Sequence, residues 1–507
     1  MLVVNLCDGY IEVVGDKLVP PGLKEELSYW QRVSVLEGYK RTMKNVKREC
    51  FTMSTRIEED GSHEIMVTMP GLAGRIKKYL ENFRIKYIMT DKRTPFPKPD
   101  IRGAMAGMRP SQVECVYTAL MSEGGIISAA TGFGKSYIIA SIIKAYDPEL
   151  LRARGTPTCL VTVKDQEICL QNYEKLKELF PDREVGVLCS SKTRHSDDIL
   201  SVTLDSLHRA NMDEVGIMLV DEVHEAATAS RSDKLAKAVN ARRWGFSATA
   251  TGRFDNSDLV TEGLVGPQIY SYSYQDGVRD GVLVPIEVLW LNVPPPTTID
   301  LPYYLNLKQR LAKYRHGVEH NAGQKALINE ILDRIDEDEE QILCIMQHTE
   351  QMNALVEGRK DVTCVHAVTD SSKLSSRGLT NLSAVSKKDR KKAYEGMKTG
   401  EIRKAMSTYV YKQGVDFPGL SVLIQAGGGG SKIASAQIPG RCSRLSDGKD
   451  RAYLVDFWHP WDQKVTDEGK LRDGPILRDD KARRRIYKKL GFTQSPVDDI
   501  NSLPFIA

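Results

Sequence analysis

The chain has no long apolar run, no paired-cysteine motif and no strong charge of either sign. Its longest apolar stretches, such as Tyr137 to Ile143, fall far short of the ~20 residues needed to cross a bilayer. Met1-Leu-Val-Val-Asn5 lacks a basic segment and Asp8 interrupts the apolar start, so no secretory signal is expected. Nine cysteines are scattered without a Cys-x-x-Cys pair, which argues for a reducing, cytoplasmic compartment and against a zinc site or disulfide framework. His316 and His320 stand at helical spacing, but no Cys or acid is obviously placed with them, and a solvated helix face is the simpler reading. There is no internal repeat. The 71 Lys and Arg against 67 Asp and Glu leave a net charge of +4, so a polyanionic partner must be met by local basic patches. What is present is ordinary for a globular protein: 507 residues, 41% hydrophobic and 27% charged, enough for about three domains of roughly 150 residues.

Residues 1–100 read as a small α+β unit. Glu25 to Glu49 is expected to be mainly helical, carrying Lys40, Arg41, Lys44, Lys47 and Arg48. Cys50 to Ile57 and His63 to Thr68 alternate around Asp60-Gly61 and predict a hairpin. Gly71 to Phe83 predicts a helix, and Thr94-Pro-Phe-Pro-Lys-Pro99 a stiff extended linker. From residue 101 to about 290, apolar strand-like runs (Gly125 to Ser128, Thr158 to Val163, Glu184 to Cys189, Ile199 to Thr203, Gly216 to Val220, Trp244 to Ser247) alternate with helical segments. That alternation predicts a doubly wound parallel sheet. Pro294-Pro-Pro296 marks a break, residues 291–317 read as a linker, and the pattern repeats over 318–457. Thr369 to Ser386 reads as a polar surface insertion. Residues 458–507 read as a tail with a basic helix, Lys481 to Leu490.

The strand Gly125-Ile-Ile-Ser128 runs into Ala129-Ala-Thr-Gly-Phe-Gly-Lys-Ser136, and a helical segment follows. Strand, loop and helix in this order are the context of a phosphate-binding loop. The backbone amides of Thr131, Gly132, Phe133, Gly134 and Lys135 are then placed at the positive end of a helix dipole. Lys135 reaches the β- and γ-phosphates of a nucleotide such as ATP, and the Ser136 hydroxyl ligates Mg²⁺. Ile217-Met-Leu-Val-Asp-Glu-Val-His224 is an apolar strand that ends in two acids. Asp221 can hold the metal and Glu222 can position or deprotonate an attacking water. Downstream, Gln437-x-x-Gly-Arg-x-x-Arg444 places Gln437, Arg441 and Arg444 at i, i+4 and i+7 on one expected helix face. Arg441 and Arg444 are candidate arginine fingers.

With Ser247-Ala-Thr249 between them, these segments in this order resemble superfamily 2 helicases, whose phosphate loop commonly has the Ala-x-Thr-Gly-x-Gly-Lys form seen here. The resemblance covers about Ile101 to Phe457. It implies an α/β fold: two RecA-like doubly wound parallel-sheet lobes with a small α+β amino-terminal DNA-binding domain and a helical carboxy-terminal tail. It also implies roles. Arg109 and Gln112 resemble the adenine-reading segment, and His224, Ser247 and Thr249 the coupling residues. Lys164, Ser206 and Thr408 resemble nucleic-acid contacts, and Gly414 and Asp416 face the nucleotide. Arg253-Phe-Asp255, Glu262-Gly-Leu-Val-Gly-Pro267, the amino-terminal Met69-Pro-Gly-Leu72 region and the tail around Arg484 are similar to UvsW-type phage recombination helicases. That likeness implies ATP-dependent remodelling of branched DNA (Holliday junctions, forks, D-loops) in recombination, repair or replication. Lys44, Lys47 and Arg484 are its candidate duplex contacts. It implies a monomer in the cytoplasm, the host's if phage-encoded, with no membrane partner. A restriction-type DNA translocase subunit and an RNA helicase or nucleic-acid-stimulated ATPase stay open; no Asp…Glu-x-Lys nuclease cluster stands out for the former.

Overall fold

In the computed structural model every residue is described except 38–39, 59–60, 249–256, 297–303, 305, 409–416, 431–434, 436–437 and 507, together with the side chains of 32, 34–37, 40–43, 58 and 61. The residues form two compact units, Met1–Tyr272 and Ser273–Ala507.

In the first unit, β1 (Leu2–Cys7) and β2 (Tyr10–Gly15) pair antiparallel. Next come β3 (Ser28–Glu37), β4 (Lys40–Glu49), β5 (Phe51–Glu58), β6 (Gly61–Thr68) and β7 (Tyr87–Asp91). Five of these strands form a sheet in the order β5-β6-β2-β1-β7, whereas β3 and β4 form a two-stranded ribbon of their own. The expected helix over Glu25 to Glu49 is therefore a hairpin, paired from Ser28↔Glu49 to Glu37↔Lys40. Lys40, Lys44 and Lys47 do repeat at helical spacing. Ser28–Glu37, however, is rich in aromatic and β-branched residues, which favour a pleated strand. The hairpin of β5 and β6 and the helix Ala73–Asn82 lie where the sequence places them.

The phosphate-loop sheet contains β8 (Gly124–Ala129), β9 (Thr158–Val163), β10 (Val185–Leu188), β11 (Thr193–Arg194), β12 (Ile199–Thr203), β13 (Val215–Asp221), β14 (Arg242–Ser247) and β15 (Gln268–Tyr272). Its order is β11-β10-β12-β9-β13-β14-β8-β15, and only the β10–β11 pair is antiparallel. Strands β9, β10 and β12 are buried at every position, as strands covered on both faces must be. Since β8, β14 and β13 are neighbours and parallel, the loops after them leave the same edge, which is where open α/β sheets bind ligands.

The amino-terminal sheet is not a detached module. Val4, Ile11, Leu23, Met66, Ile76 and Leu80 share one apolar cluster with Leu160, Leu200, Met218, Val220 and Val260 of the phosphate-loop lobe. Arg75 adds a two-pronged bond to Glu262, Nη2–Oε2 at 2.6 Å and Nε–Oε1 at 3.2 Å. A Cβ on Gly71 would lie 2.0 Å from the Glu262 carbonyl oxygen, so this approach requires glycine. The Pro-rich stretch is extended, as its composition predicts, and it is pinned. Phe96 lies edge-on to Tyr146, with the Arg154 and Arg242 guanidiniums 4.9 and 4.6 Å from its ring centre.

The second unit holds β16 (Ile286–Asn292), β17 (Ile342–Ile345), β18 (Thr363–Val365), β19 (Lys404–Ser407), β20 (Val422–Gln425), β21 (Ala452–Trp458), the hairpin β22 (Gln463–Val465) and β23 (Leu471–Asp473), and β24 (Thr493–Val497). Its seven-stranded sheet is parallel throughout, in the order β18-β19-β17-β20-β21-β16-β24. The two parallel sheets expected from the sequence are thus both present, but three segments differ. β16, placed with the first lobe by the sequence reading, belongs to the second sheet. Thr369 to Ser386 is not a loose insertion, because Leu374, Leu379 and Leu382 are buried in the second core. The tail forms the helix Pro475–Leu490, then adds edge strand β24 and sends Leu503 and Phe505 into that core.

Candidate active site

Strand β8 delivers the phosphate loop to the start of the helix Lys135–Lys144. Gly132 and Gly134 take φ of +95° and +93°, a left-handed backbone that costs other residues energy. Gly134 is also crowded, since a Cβ there would meet Gln112 Nε2 at 2.6 Å. Two side chains hold the loop by one carbonyl: Arg109 Nη2 and Gln112 Nε2 donate to Phe133 O at 2.6 and 2.8 Å. Gln112 Oε1 accepts from the Arg109 backbone N–H at 3.2 Å. Both residues expected to read the base therefore brace the phosphate loop itself. The Phe133 side chain points inward, buried and 4.3 Å from the Tyr272 ring, and its N–H bonds to Ala130 O. Phe133 is thus an anchor, and the backbone of Thr131, Gly132 and Gly134 with Lys135 and Ser136 forms the cradle. These features fit a polyphosphate: an N-terminal helix turn, a glycine cradle and a lysine at its mouth.

Lys135 Nζ lies 3.6 Å from Glu222 Oε1, so the acidic end of β13 faces the lysine. Glu222 has φ +49°, rare for a residue with a side chain, and its N–H bonds Asp221 Oδ1 at 3.0 Å. Burial raises the Asp221 carboxyl above the usual carboxylate range, Lys135 opposes the rise and Glu222 adds to it. His224 is buried with Nδ1 2.9 Å from Ser247 Oγ and 3.4 Å from Glu222 Oε2. One imidazole therefore touches the acid beside Lys135 and the serine that ends β14. Thr249 lies outside the described residues, as does Arg253-Phe-Asp255.

In the second unit Gln437, Gly414 and Asp416 lie outside the described residues. Arg441 closes a 3-10 turn, Pro439–Arg441, and Arg444 forms a bridge with Leu283. Arg441 and Arg444 thus do not share one continuous α-helical face.

The loop leading toward this motif is clamped. Ala426 O accepts from Gln324 Nε2 and Gln351 Nε2, both at 2.9 Å, and Gly429 O accepts from Arg483 Nη1 at 3.0 Å. Arg483 sits in the middle of the basic tail helix but is only 1% exposed. Its Nε and Nη2 bond both oxygens of Asp456 at 2.8 Å, and Nη2 bonds Asp480 at 3.0 Å. Burial opposes its charge, yet the two aspartates outweigh that and raise its pKa well above the ordinary value. Tyr487 OH donates to Asp456 at 2.9 Å, and His459 joins Asp480 to Gln324.

Residues 106–252 match the family model described as Type III restriction enzyme, res subunit. Helicase 22 of Sulfolobus islandicus filamentous virus is 24% identical over 77% of this chain and 70% of its own length. Saccharomyces cerevisiae Dbp5 bound to RNA and ADP BeF3 superposes at TM-score 0.50 with 14% identity, over 78% of this chain and 95% of its own. T4 UvsW covers 98% of this chain and 99% of its own at TM-score 0.40 and 14% identity. In sequence and in fold the chain resembles superfamily 2 helicases. Its two parallel sheets are RecA-like lobes, and the likeness to helicases implies ATP binding. Among its described residues, no helix is long and apolar enough to cross a membrane.

The expected nucleic-acid contacts of the helicase are placed unevenly. Lys164, 43% exposed, pairs with Glu225 at 2.9 Å, and Glu225 also lies 3.8 Å from Arg231. Burial would raise the Glu225 carboxyl, but Lys164 outweighs it and holds the group below its usual range. Ser206 is buried and accepts from Thr203 Oγ1 at 2.8 Å, and Thr408 is buried with its N–H on Val365 O. Both residues are thus largely buried. Lys47 pairs with Glu25, Lys44 is exposed, and Arg484 lies over the Trp458 ring at 5.4 Å. Glu225, Arg231 and Arg483 were missed from sequence. Glu225 could have been found, since it directly extends Asp221-Glu-Val-His224; Arg483 could not, because its partner Asp456 is 27 residues away.

Proposed function

We propose that this helicase is a DNA-directed motor that hydrolyses ATP to unwind or branch-migrate forked and four-way DNA. The carrying observation is the 3.6 Å approach of Lys135 to Glu222 with His224 bridging onward to Ser247. Lys135 and the Gly132–Gly134 cradle bind the triphosphate, and Ser136 and Asp221 would hold Mg²⁺. The metal is of the kind held by one or two protein oxygens together with phosphates, and supplies charge neutralisation when bound. Asp221, partly desolvated, orients by its backbone partner Glu222. Glu222 exchanges its contact with Lys135 for an attacking water and accepts its proton. His224 passes the change at Glu222 to Ser247. Arg441 and Arg444 supply positive charge to the transition state. The branched-DNA reading is supported by the exposed basic residues at both ends of the chain and by the UvsW-type sequence segments.

ATP-driven processing of a synthetic four-way junction beside a linear partial duplex tests this. Junction processing should exceed linear unwinding, and Lys135→Ala should lower it by roughly 10²-fold or more. Unimpaired processing by Lys135→Ala would sink the site assignment. The restriction-family match favours a second reading, a duplex translocase. Strand displacement along linear duplex without junction processing would select it.

A further inference from the structure

The β3–β4 ribbon concentrates the charge of the whole protein. Between Ser28 and Glu49 there are six basic residues (Arg32, Lys40, Arg41, Lys44, Lys47, Arg48) and two acids (Glu37, Glu49). Its excess of four equals the net +4 of all 507 residues, so the rest of the chain balances. The register puts Lys44 opposite Val33 and Arg48 opposite Tyr29, all on one face, and Lys47 opposite Trp30 on the other. Tyr29 packs against the core at the ribbon's base, while Trp30 is 57% exposed. Lys44 and Arg48 are exposed. Ten residues per strand give a length of about 33 Å.

From this geometry we infer that the ribbon binds a DNA duplex arm by lying in its major groove, with basic residues of both faces against the two flanking phosphate backbones. The B-form major groove, about 12 Å wide, admits a two-stranded ribbon, and one helical turn of about 34 Å matches the ribbon's length. The A-form groove of duplex RNA is deep and too narrow for side chains to read. The ribbon therefore deepens the reading given under Proposed function: it selects duplex DNA over duplex RNA, independently of the ATP site.

The test uses the full-length chain without nucleotide, a blunt linear DNA duplex, and the same sequence as duplex RNA. Bound wild type should protect guanine N7 from dimethyl sulfate and bind the RNA duplex more weakly. Lys44→Gln with Arg48→Gln should lose the protection and lower the slope of log affinity against log salt by roughly 2, at about 0.9 per phosphate contact. Lys44→Arg should keep the slope, which separates charge from folding. Guanine N7 left reactive under bound wild type, an unchanged slope in the double variant, or equal affinity for the RNA duplex would each overturn the ribbon's role. Failure of the motor reading is seen elsewhere, as wild type that processes no junction or duplex with ATP.

Discussion

Arg48 and Arg483 stand in the two most basic segments of the chain and have opposite surroundings. Arg48, on the ribbon, is exposed and donates to Gln31 Oε1 at 3.0 Å. Arg483, on the tail helix, is enclosed by Asp456, Asp480, the Phe457 carbonyl and the Gly429 carbonyl. Lys44 and Arg48 stand exposed on the ribbon. The helix directs its central arginine inward, to fasten the glycine loop, and leaves Arg484, Arg485, Lys488 and Lys489 at the surface. A run of like charge therefore does not define one role; the partners brought to each residue by the sheet do.

Substitutions break this contrast in graded steps. The largest effect is expected for Arg483→Gln, which strands Asp456 and Asp480 without their counter-charge. Removing one member of a buried pair costs about 3–5 kcal/mol, read by urea denaturation through the fluorescence of Trp290 and Trp458 nearby. Tyr487→Phe removes one bond to the Asp456 carboxylate and should cost about 2 kcal/mol in the same assay. Arg484→Ala, which loses only its place over Trp458, should cost about 0.5–1 kcal/mol; as a proposed duplex contact it should also lower the salt slope by about 0.9. Arg48→Ala should change stability by no more than about 0.5 kcal/mol. A destabilisation by Arg48→Ala as large as that by Arg483→Gln would erase the distinction.

The same contrast explains what sequence could and could not reveal. Strands β9 and β12 begin and end at the residues expected of them, because strands buried on both faces are written mainly in apolar and β-branched residues. The phosphate loop was legible for a similar reason: its glycines and Lys135 are the chemistry, with no distant partner required. The ribbon was not legible. It joins none of the larger sheets and none of its described side chains is fully buried, so nothing enforced a period of two against the helical spacing of its lysines. Arg441 and Arg444 are parted because the turn Pro439–Arg441 ends before Arg444 pairs with Leu283, a distant partner that local spacing does not reveal. The burial of Ser206 and Thr408 was not legible, because it depends on how the surrounding segments pack.

The amino-terminal sheet and the phosphate-loop lobe share one apolar core, stitched at its rim by Arg75 and Glu262. Mechanically, that core is a weld. Tension at the ribbon's base passes through Tyr29 and the amino-terminal sheet into β9 and β13, the strand that ends at Asp221. The seam at Gly71 and Gly263, where backbone meets backbone and Met69, leaves no slack to absorb a pull. A load on the amino-terminal sheet is thus carried by the core that lies under the strand bearing Asp221.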